Sequence, residues 1–450
     1  MAHEVKDLIS VADGGPVDAP DLAAIQRRAR RLTLLRGGGV TGAATVLVAA
    51  VIGVTGGFLP SQTPVVGEGP DPSSIVPTVP TEPTEPTEPT EPDDLDGPET
   101  GPPLWTTQLD PEVFGGFGSG SQLASRGGRL FVASGHGDAA AVVALELATG
   151  DQVWRTDLDG TVHLHTTTDE LLIVSSRTRS VGALDVATGQ QVWEYELPVG
   201  YAAVSAAVSD QSLYLVAGAG SEGDTSPPLV HALDLAAGTL QWSRTLAPGT
   251  DPQWSPPAIV DDRLLVAATP ANPQVQVGNQ VHALRLTDGR EVWSADLGGK
   301  QGFSSRATAV SDDLLHVTVP GVGVVTLDID QGTIAHTIED ASLFDARRSA
   351  VYIAEHGERA VVRAADPRTG EPLDQPSWAG DDWFMVEIRT QRPELLLPAT
   401  TALSAVDTET GTLAWRHRYQ TPTYEILVLD ELLIATNQQA QIVATRLPAS

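Results

Sequence analysis

The sequence predicts an all-β fold, an eight-bladed β-propeller of four-stranded blades, preceded by one transmembrane helix and a disordered proline-rich stalk. Three observations predict it. A strand-turn-strand pattern recurs through residues 100–450, its first and last copies are complementary halves, and a charge-free apolar stretch precedes a run of prolines and acids. The formal net charge of −31 argues against a nucleic-acid partner, and the absence of cysteine excludes disulfide scaffolds and thiolate metal sites.

Residues 1–36 are predicted to be a cytoplasmic tail with a short basic amphipathic helix. Five arginines lie between Arg27 and Arg36, and no further basic residue follows until Arg126. By the positive-inside rule, the N-terminus is expected in the cytoplasm and the propeller outside the cell, with the cell membrane as its location.

Residues 37–60 are predicted to form a single-pass signal-anchor helix. Their 24 uncharged residues would rise about 36 Å as a helix, enough for a hydrocarbon core of about 30 Å. A cleaved signal peptide is the alternative, although its apolar region is usually shorter. Small residues recur every fourth position from Gly37 to Gly57, so a homodimer through that helix face is a further possibility.

Residues 61–103 are predicted to be a disordered Pro/Thr/Glu-rich linker. A Thr-Glu-Pro unit occurs four times between Thr81 and Pro92, and residues 60–103 hold thirteen prolines and ten acids. Such a chain favours extended polyproline II and has too little apolar surface to fold. It therefore serves as a spacer between membrane and propeller.

Residues 104–450 are predicted to form the propeller, because one pattern, A-L-D-x-x-T-G-x-x-x-W, repeats along them. Alternation in A-L-x-L indicates a half-buried strand, Thr-Gly supplies a turn with positive φ, and the tryptophan can wedge between adjacent blades. The period lies near 40–45 residues, as expected for blades of four strands. The complete glycine–tryptophan pairs are Gly101 and Trp105, Gly150 and Trp154, Gly189 and Trp193, Gly238 and Trp242, Gly289 and Trp293, and Gly411 and Trp415.

Two copies have lost the tryptophan. His336 and Asp374 stand at its position, after the glycines Gly332 and Gly370. They bring the count of blades to eight.

The chain ends predict how the ring closes. The first copy lacks its A-L-x-L strand, whereas the chain finishes on that strand, Ala444 to Leu447, without the turn that should follow. One closing blade is therefore expected to take three strands from about 423–447 and its outer strand from 104–109. This arrangement leaves no long open edge.

The repeat resembles the quinoprotein-like family of PQQ-binding-like β-propeller repeats, over residues 100–450. That family includes quinoprotein alcohol dehydrogenases, sensor domains of bacterial kinases and the propeller lipoprotein of the outer-membrane barrel assembly machine. The resemblance implies a scaffold, and a fold does not fix a function. We expect a membrane-anchored binding or interaction module, a scaffold or sensor without catalysis, whose partner is an envelope protein or peptide.

The alternative is a PQQ-dependent dehydrogenase. Membership of that branch would imply a quinone cofactor, a calcium ion, an aspartate base and often a disulfide between adjacent cysteines. The chain has no cysteine, and no motif carries over the calcium ligands or the base. No catalytic, cofactor-binding or metal residue is therefore predicted.

A ring of aromatic and imidazole side chains forms a candidate ligand-binding face. One follows each outer strand by about 8–12 residues, where the chain should cross to the next blade near the channel mouth. Packing between neighbouring blades is the competing interpretation. Extra residues in three long blades are expected in hairpins of the same face, around 135–140, 218–229 and 269–280. The ring residues are Phe117 (or Phe114), His163, Tyr201, Trp254, Phe303, Phe344, Trp383 and Tyr424.

Two further motifs are weak. His163 and His165 place two imidazoles on one strand face, a possible metal pair that lacks a clear third ligand. Residues 218–223 match G-x-G-x-x-G, but prolines follow in place of a helix, so a loop is expected.

Overall fold

A computed structural model describes the propeller and the end of the segment before it. The described residues are 89, 97–114, 122–136, 139–160, 162–176, 179–220, 226–252, 257–270, 278–299, 308–355, 360–380, 387–390, 392–399, 402–419, 423–437 and 439–448. The predicted tail, the predicted transmembrane helix and most of the predicted linker lie outside them. Within these ranges no helix has both the length and the apolar character needed to cross a membrane.

The described strands form eight sheets, which confirms the eight-bladed propeller of four-stranded blades. In most blades the strands follow one another in chain order and pair antiparallel. Blade 1 contains β2 (Gln122–Arg126), β3 (Arg129–His136), β4 (Ala139–Glu146) and β5 (Gln152–Asp159); blade 2 contains β6 (Val162–Thr167), β7 (Leu171–Ser176), β8 (Ser180–Asp185) and β9 (Gln191–Glu196); blade 3 contains β10 (Tyr201–Val208), β11 (Ser212–Ala219), β12 (Leu229–Asp234) and β13 (Leu240–Thr245); blade 4 contains β14 (Thr250–Pro252), β15 (Ala258–Val260), β16 (Arg263–Pro270), β17 (Asn279–Arg285) and β18 (Glu291–Gly298).

The second half of the ring continues in the same way until blade 7, whose own sheet has three strands. Blade 5 contains β19 (Thr308–Ser311), β20 (Leu314–Val319), β21 (Gly323–Asp328) and β22 (Ile334–Glu339); blade 6 contains β23 (Ala341–Ala346), β24 (Val351–Glu355), β25 (Ala360–Ala365) and β26 (Trp378–Gly380); blade 7 contains β28 (Leu395–Pro398), β29 (Ala402–Val406) and β30 (Leu413–Arg418); blade 8 contains β31 (Thr423–Val428), β32 (Leu432–Asn437), β33 (Gln441–Arg446) and β1 (Pro103–Gln108).

The strand before blade 7 departs from the repeat. β27 (Glu387–Thr390) occupies the place of an innermost strand of blade 7 in the sequence. It instead pairs in parallel with β31, so that it extends the sheet of blade 8.

The closing blade is formed by both ends of the chain, as predicted. β1 pairs antiparallel with β33, with Trp105 opposite Ala444 and Gln108 opposite Gln441. The predicted strand 104–109 is therefore the outermost strand of blade 8. This pairing leaves no open edge at the point where the ring closes.

The core consists of eight apolar clusters, one between each pair of neighbouring blades. In most outer strands a β-bulge immediately precedes the repeat tryptophan, or the residue that replaces it. A bulge turns the following side chain, and here the ring of one blade lies on the turn of the next. The ring nitrogen donates at 2.9–3.0 Å to a turn carbonyl: Trp105 to Leu147, Trp154 to Val186, Trp193 to Leu235, Trp242 to Leu286, Trp293 to Ile329 and His336 to Pro367.

The turn glycine receives the ring of the preceding blade. At Gly189 φ is +72°, and a Cβ there would lie 2.6 Å from Cε3 of Trp154. Gly101 differs, because it precedes β1 outside any such turn and a Cβ there would meet nothing within 4 Å.

The last two seams use other residues. A Cβ at Gly411 would meet Pro376 at 2.7 Å, so this proline takes the place of the ring where the sequence has Asp374. Trp378 is fully buried nearby. At the closing seam Trp415 is buried too, but its Nε1 has no hydrogen-bond partner among the described residues. The reason is that β33 and β1 come from opposite chain ends and no turn joins them.

In an antiparallel blade, successive turns alternate between the two ends of the strands. The connection from one blade to the next therefore lies on the same face of the propeller as the hairpin between the second and third strands. We call this the crossing face. The flanking strand ends put the connections 220–228 and 271–278 on this face, as expected for two of the three long hairpins, although residues 221–225 and 271–277 lie outside the described residues. The expectation for 135–140 was wrong. β3 and β4 are eight residues each and only two residues join them, while the extra residues of blade 1 lie in the connection 109–121, which contains helix α1 (Pro111–Phe114) with Phe114 buried.

Candidate functional site

Three members of the predicted aromatic ring have described side chains. His163 lies on β6, Tyr201 begins β10, and Phe344 lies on β23. The side chains of the remaining members lie outside the described residues; they are Phe117, Trp254, Phe303, Trp383 and Tyr424.

These three residues do not occupy equivalent positions. Phe344 is itself the bulge residue of β23, whereas in β6 the bulge residue is His165, two positions beyond His163. Tyr201 precedes the bulge of β10 by three positions. Tyr201 and Phe344 are half-buried and pack against the clusters of the 2/3 and 6/7 seams. Their contacts therefore serve packing between blades.

The histidine pair of β6 has a local partner. His165 Nε2 lies 2.7 Å from the Ser175 hydroxyl. Burial, together with the nearby charge of His163, lowers the pKa of His165 to about 3. The ring is therefore neutral at physiological pH. In the part of the chain that the structure describes, no three histidines or carboxylates are grouped so that they could hold a metal ion.

Side chains from one blade hold the innermost strand of the next. The amide N–H of Leu343 donates to Thr318 Oγ1 at 2.7 Å, and that of Leu123 donates to Glu425 Oε1 at 2.7 Å. Gln122 accepts from the Leu164 amide in the same way. Each bond satisfies a backbone donor on a strand edge that faces the channel.

The most exposed large apolar side chain in the described ranges belongs to a crossing loop. Val199, between blades 2 and 3, is 86% exposed. The loop is fixed to the neighbouring hairpin, because the Gly220 amide donates to the Gly200 carbonyl at 2.7 Å. Gly220 also lacks room for a side chain, since a Cβ would approach the Gly200 carbonyl oxygen at 3.2 Å. Residues 198–201 with Gly220 are called the crossing ridge below.

A cavity of about 400 Å³ lies at the seam between blades 7 and 8. No motif in the sequence indicated this cavity. Its roof is residues 99–103 of the predicted linker. This segment runs beside β30: the Thr100 amide donates to the Arg416 carbonyl at 2.8 Å, and the Arg416 amide donates to the Pro98 carbonyl at 2.9 Å. Its walls come from β30 and its C-terminal end, and from the four strands β31, β32, β33 and β1. We call it the closing-seam cavity.

The charged residues of this cavity cancel one another. Arg418 Nε and Glu99 Oε1 form an ion pair of 2.8 Å, and both side chains are more than half exposed. His417 Nδ1 lies 2.8 Å from the Thr100 hydroxyl, and burial lowers the pKa of His417. The imidazole is therefore neutral, and the described residues of the cavity wall carry no net charge.

Three residues of the cavity wall carry a buried hydroxyl without a partner among the described residues: Tyr419, Thr445 and Thr436. Thr436 lies opposite Ile442, which packs towards blade 1, so its hydroxyl is on the far side of the sheet from the cavity.

Thr445 is fully buried. Thr445 lies opposite Leu433 in the neighbouring strand. It is on the same side of the sheet as Val443, which lies opposite Thr106. Its side chain is therefore on the side of blade 8 that faces blade 7. Burying a hydroxyl without a hydrogen bond is unfavourable, and such groups call for an explanation.

The family described as outer membrane protein assembly factor BamB matches residues 95–223 and 228–389. No curated protein matches the chain by sequence.

Solved structures share the fold at low identity. The crystal structure of BamB from Moraxella catarrhalis has a TM-score of 0.53 at 15% identity, over 77% of this chain and 99% of that one. The quinohemoprotein alcohol dehydrogenase ADHIIG from Pseudomonas putida HK5 has a TM-score of 0.58 at 11% identity, over 78% and 76%. Sqt1 from Saccharomyces cerevisiae has a TM-score of 0.58 at 10% identity, over 78% and 100%. These similarities establish the fold alone.

Proposed function

The chain belongs to the family described as outer membrane protein assembly factor BamB, and on that premise we propose that it is a binding module of the cell envelope that docks a protein or peptide partner. The membership confirms the resemblance to quinoprotein-like propeller repeats. An assembly factor works by holding other proteins, and a propeller offers a rigid surface for that purpose.

The observation that carries the proposal is the crossing ridge. Val199 is almost fully exposed. The carbonyls of its two neighbours, the exposed Pro198 and the half-buried Gly200, both accept backbone hydrogen bonds. An apolar side chain held out on a rigid support suits a protein contact, because little conformational entropy is lost on binding. The long hairpins of blades 3 and 4 lie on the same face and would widen the contact.

The predicted N-terminal segments indicate the cellular location of this module. We propose that residues 37–60 anchor the chain in the cell membrane, with the N-terminus in the cytoplasm and the propeller outside. The linker 61–103 would then hold the acidic propeller away from the anionic lipid surface. A homodimer through the small-residue face of the anchor belongs to the same proposal.

Site-specific photocrosslinking tests the docking face. A photoreactive phenylalanine analogue is placed at Val199 in the full-length protein, and separately at Arg348. Arg348 is a matched control, because its side chain is also 86% exposed but lies between the first and second strands of blade 6, on the opposite face. We expect one envelope protein to be captured from position 199 and not from 348. Equal capture from both positions, or none from position 199, would refute the assignment of this face.

A PQQ-dependent dehydrogenase is the alternative function, favoured by the shared fold of quinohemoprotein alcohol dehydrogenases. The full-length protein is incubated with pyrroloquinoline quinone, calcium and an alcohol. We expect neither a bound chromophore nor dye reduction above background. A stoichiometric quinone complex that turns over would replace the binding-module proposal.

A further inference from the structure

We infer that the closing-seam cavity is a binding site for a neutral, polyhydroxylated ligand, of the size of one or two sugar rings. This site is separate from the crossing ridge, so it does not depend on the protein partner proposed above.

The volume suits a small ligand. Small-molecule sites span roughly 300–1,000 Å³, and this cavity measures about 400 Å³. It is open to solvent on one side and is bounded by segments that are themselves hydrogen-bonded, with the roof 99–103 held to β30 and the floor formed by paired strands of blade 8. The site is therefore formed before any ligand arrives.

The chemistry of the described wall residues disfavours an ion and favours hydroxyl groups. Apart from the exposed Glu99–Arg418 pair at its edge, the wall offers hydroxyls, side-chain amides, a neutral imidazole and proline rings. A charged ligand would lose its hydration and gain no opposite charge. Hydroxyl and amide groups both donate and accept, which matches a ligand whose own groups do both.

The unpartnered hydroxyls give the ligand its anchors. Tyr419 and Thr445 enter the wall from two different blades, and each keeps a buried hydroxyl without a partner among the described residues. A ligand hydroxyl that bonds to either one would remove the cost of leaving it unpaired. The rings of His417 and Tyr419 lie edge to face at 5.8 Å and add an apolar surface for the C–H face of a sugar ring.

The first experiment measures binding of named sugars. The full-length protein is titrated with D-glucose, D-galactose, D-mannose and N-acetyl-D-glucosamine, by saturation-transfer NMR and calorimetry. The buffer contains no glycerol and no glycosidic detergent, because both would compete. We expect at least one sugar to bind with a dissociation constant of about 1 mM or tighter. No binding by any sugar at about 50 mM would overturn the inference and leave ordered water as the occupant.

Three variants locate that binding. Thr445→Val and Tyr419→Phe each remove one unpartnered hydroxyl and keep the shape, so we expect about tenfold weaker sugar binding from either without a lower melting temperature. The control is Thr326→Val, because Thr326 is equally buried but its hydroxyl bonds to His316 at 2.9 Å. It should lower the melting temperature and leave the affinity unchanged. Sugar binding that survives Thr445→Val and Tyr419→Phe would place the site elsewhere and overturn the assignment.

Two further arms define the ligand class. Glucose 6-phosphate should bind more weakly than glucose, and tighter binding would overturn the claim of a neutral ligand. Methyl glycosides distinguish a free sugar from the end of a glycan: retained affinity supports a glycan end, and lost affinity supports a free reducing sugar as the form this site takes.

Discussion

Replacing one turn glycine by alanine tests how the blades are joined. Gly189 has φ of +72°, and a Cβ at this position would lie 2.6 Å from Cε3 and 2.7 Å from Cδ2 of Trp154. Both atoms belong to a rigid ring that is packed on all sides. The Gly189→Ala variant must therefore strain the backbone and also displace the indole.

Two contributions set the expected magnitude. An alanine at a left-handed φ costs about 1–2 kcal/mol. Displacing the indole loses its hydrogen bond to Val186, which is 3.0 Å long and contributes about 1 kcal/mol, with some loss of packing in addition. The sum is about 3 kcal/mol. Gly160 supplies the matched control, because its φ is +74° but a Cβ there would meet nothing within 4 Å, so Gly160→Ala should cost about 1 kcal/mol.

Thermal unfolding followed by circular dichroism measures the difference. For a cooperative unit of about 350 residues, 1 kcal/mol corresponds to roughly 1.4 °C. Gly189→Ala should then lower the melting temperature by about 4 °C and Gly160→Ala by about 1.5 °C. In a Trp154→Ala background the cost of Gly189→Ala should fall to that of the control, because no ring remains to be displaced. Equal shifts for the two single variants would show that the ring does not fill the turn.

Three other predictions concern buried polar groups. Arg392→Met should lower stability by about 3 kcal/mol in urea unfolding, because it leaves the buried carboxylate of Glu394 without its 2.6 Å partner. Burial lowers the pKa of His316 from 6.5 to about 4. The contribution of the neutral His316 ring to stability is therefore fully present above pH 6.5 and is lost as the pH falls towards 4. When melting temperatures are measured across this window, they should fall less steeply in the His316→Gln variant than in the unmodified protein. Trp415→Phe should cost about 1 kcal/mol less than Trp242→Phe in the same unfolding assay, because the Trp415 nitrogen has no partner among the described residues, whereas that of Trp242 donates at 2.9 Å.

The sequence predicted the propeller because its repeat is local chemistry. A strand, a Thr-Gly turn and a tryptophan fit into about fifteen consecutive residues, so each copy can be recognised from its own sequence. The closing blade was predictable for a related reason: the incomplete ends at Trp105 and Ala444 complement each other, and the structure pairs these two residues.

Features that join distant segments left no such signal. The pairing of β27 with β31 depends on how blade 7 sits beside blade 8, and no residue in Glu387–Thr390 indicates it. The substitute for the missing tryptophan of blade 6 lies two residues beyond Asp374, at Pro376, and only the packing against Gly411 reveals it. The ring of aromatic residues at the blade connections remains a prediction for the members outside the described residues.

The closing-seam cavity follows from the way in which the ring is closed. At most seams the fourth strand continues directly from the third, and the turn between them receives a ring from the preceding blade. In blade 8 these two strands come from opposite ends of the chain, so the turn is missing and the chain must enter over the seam. The entering segment 97–103 then covers β30, and the space beneath it is the cavity. Because strands from opposite ends of the chain close the ring, one of the turns that receive a ring from the preceding blade is missing. Its absence leaves room for a ligand at the seam where the predicted stalk meets the propeller.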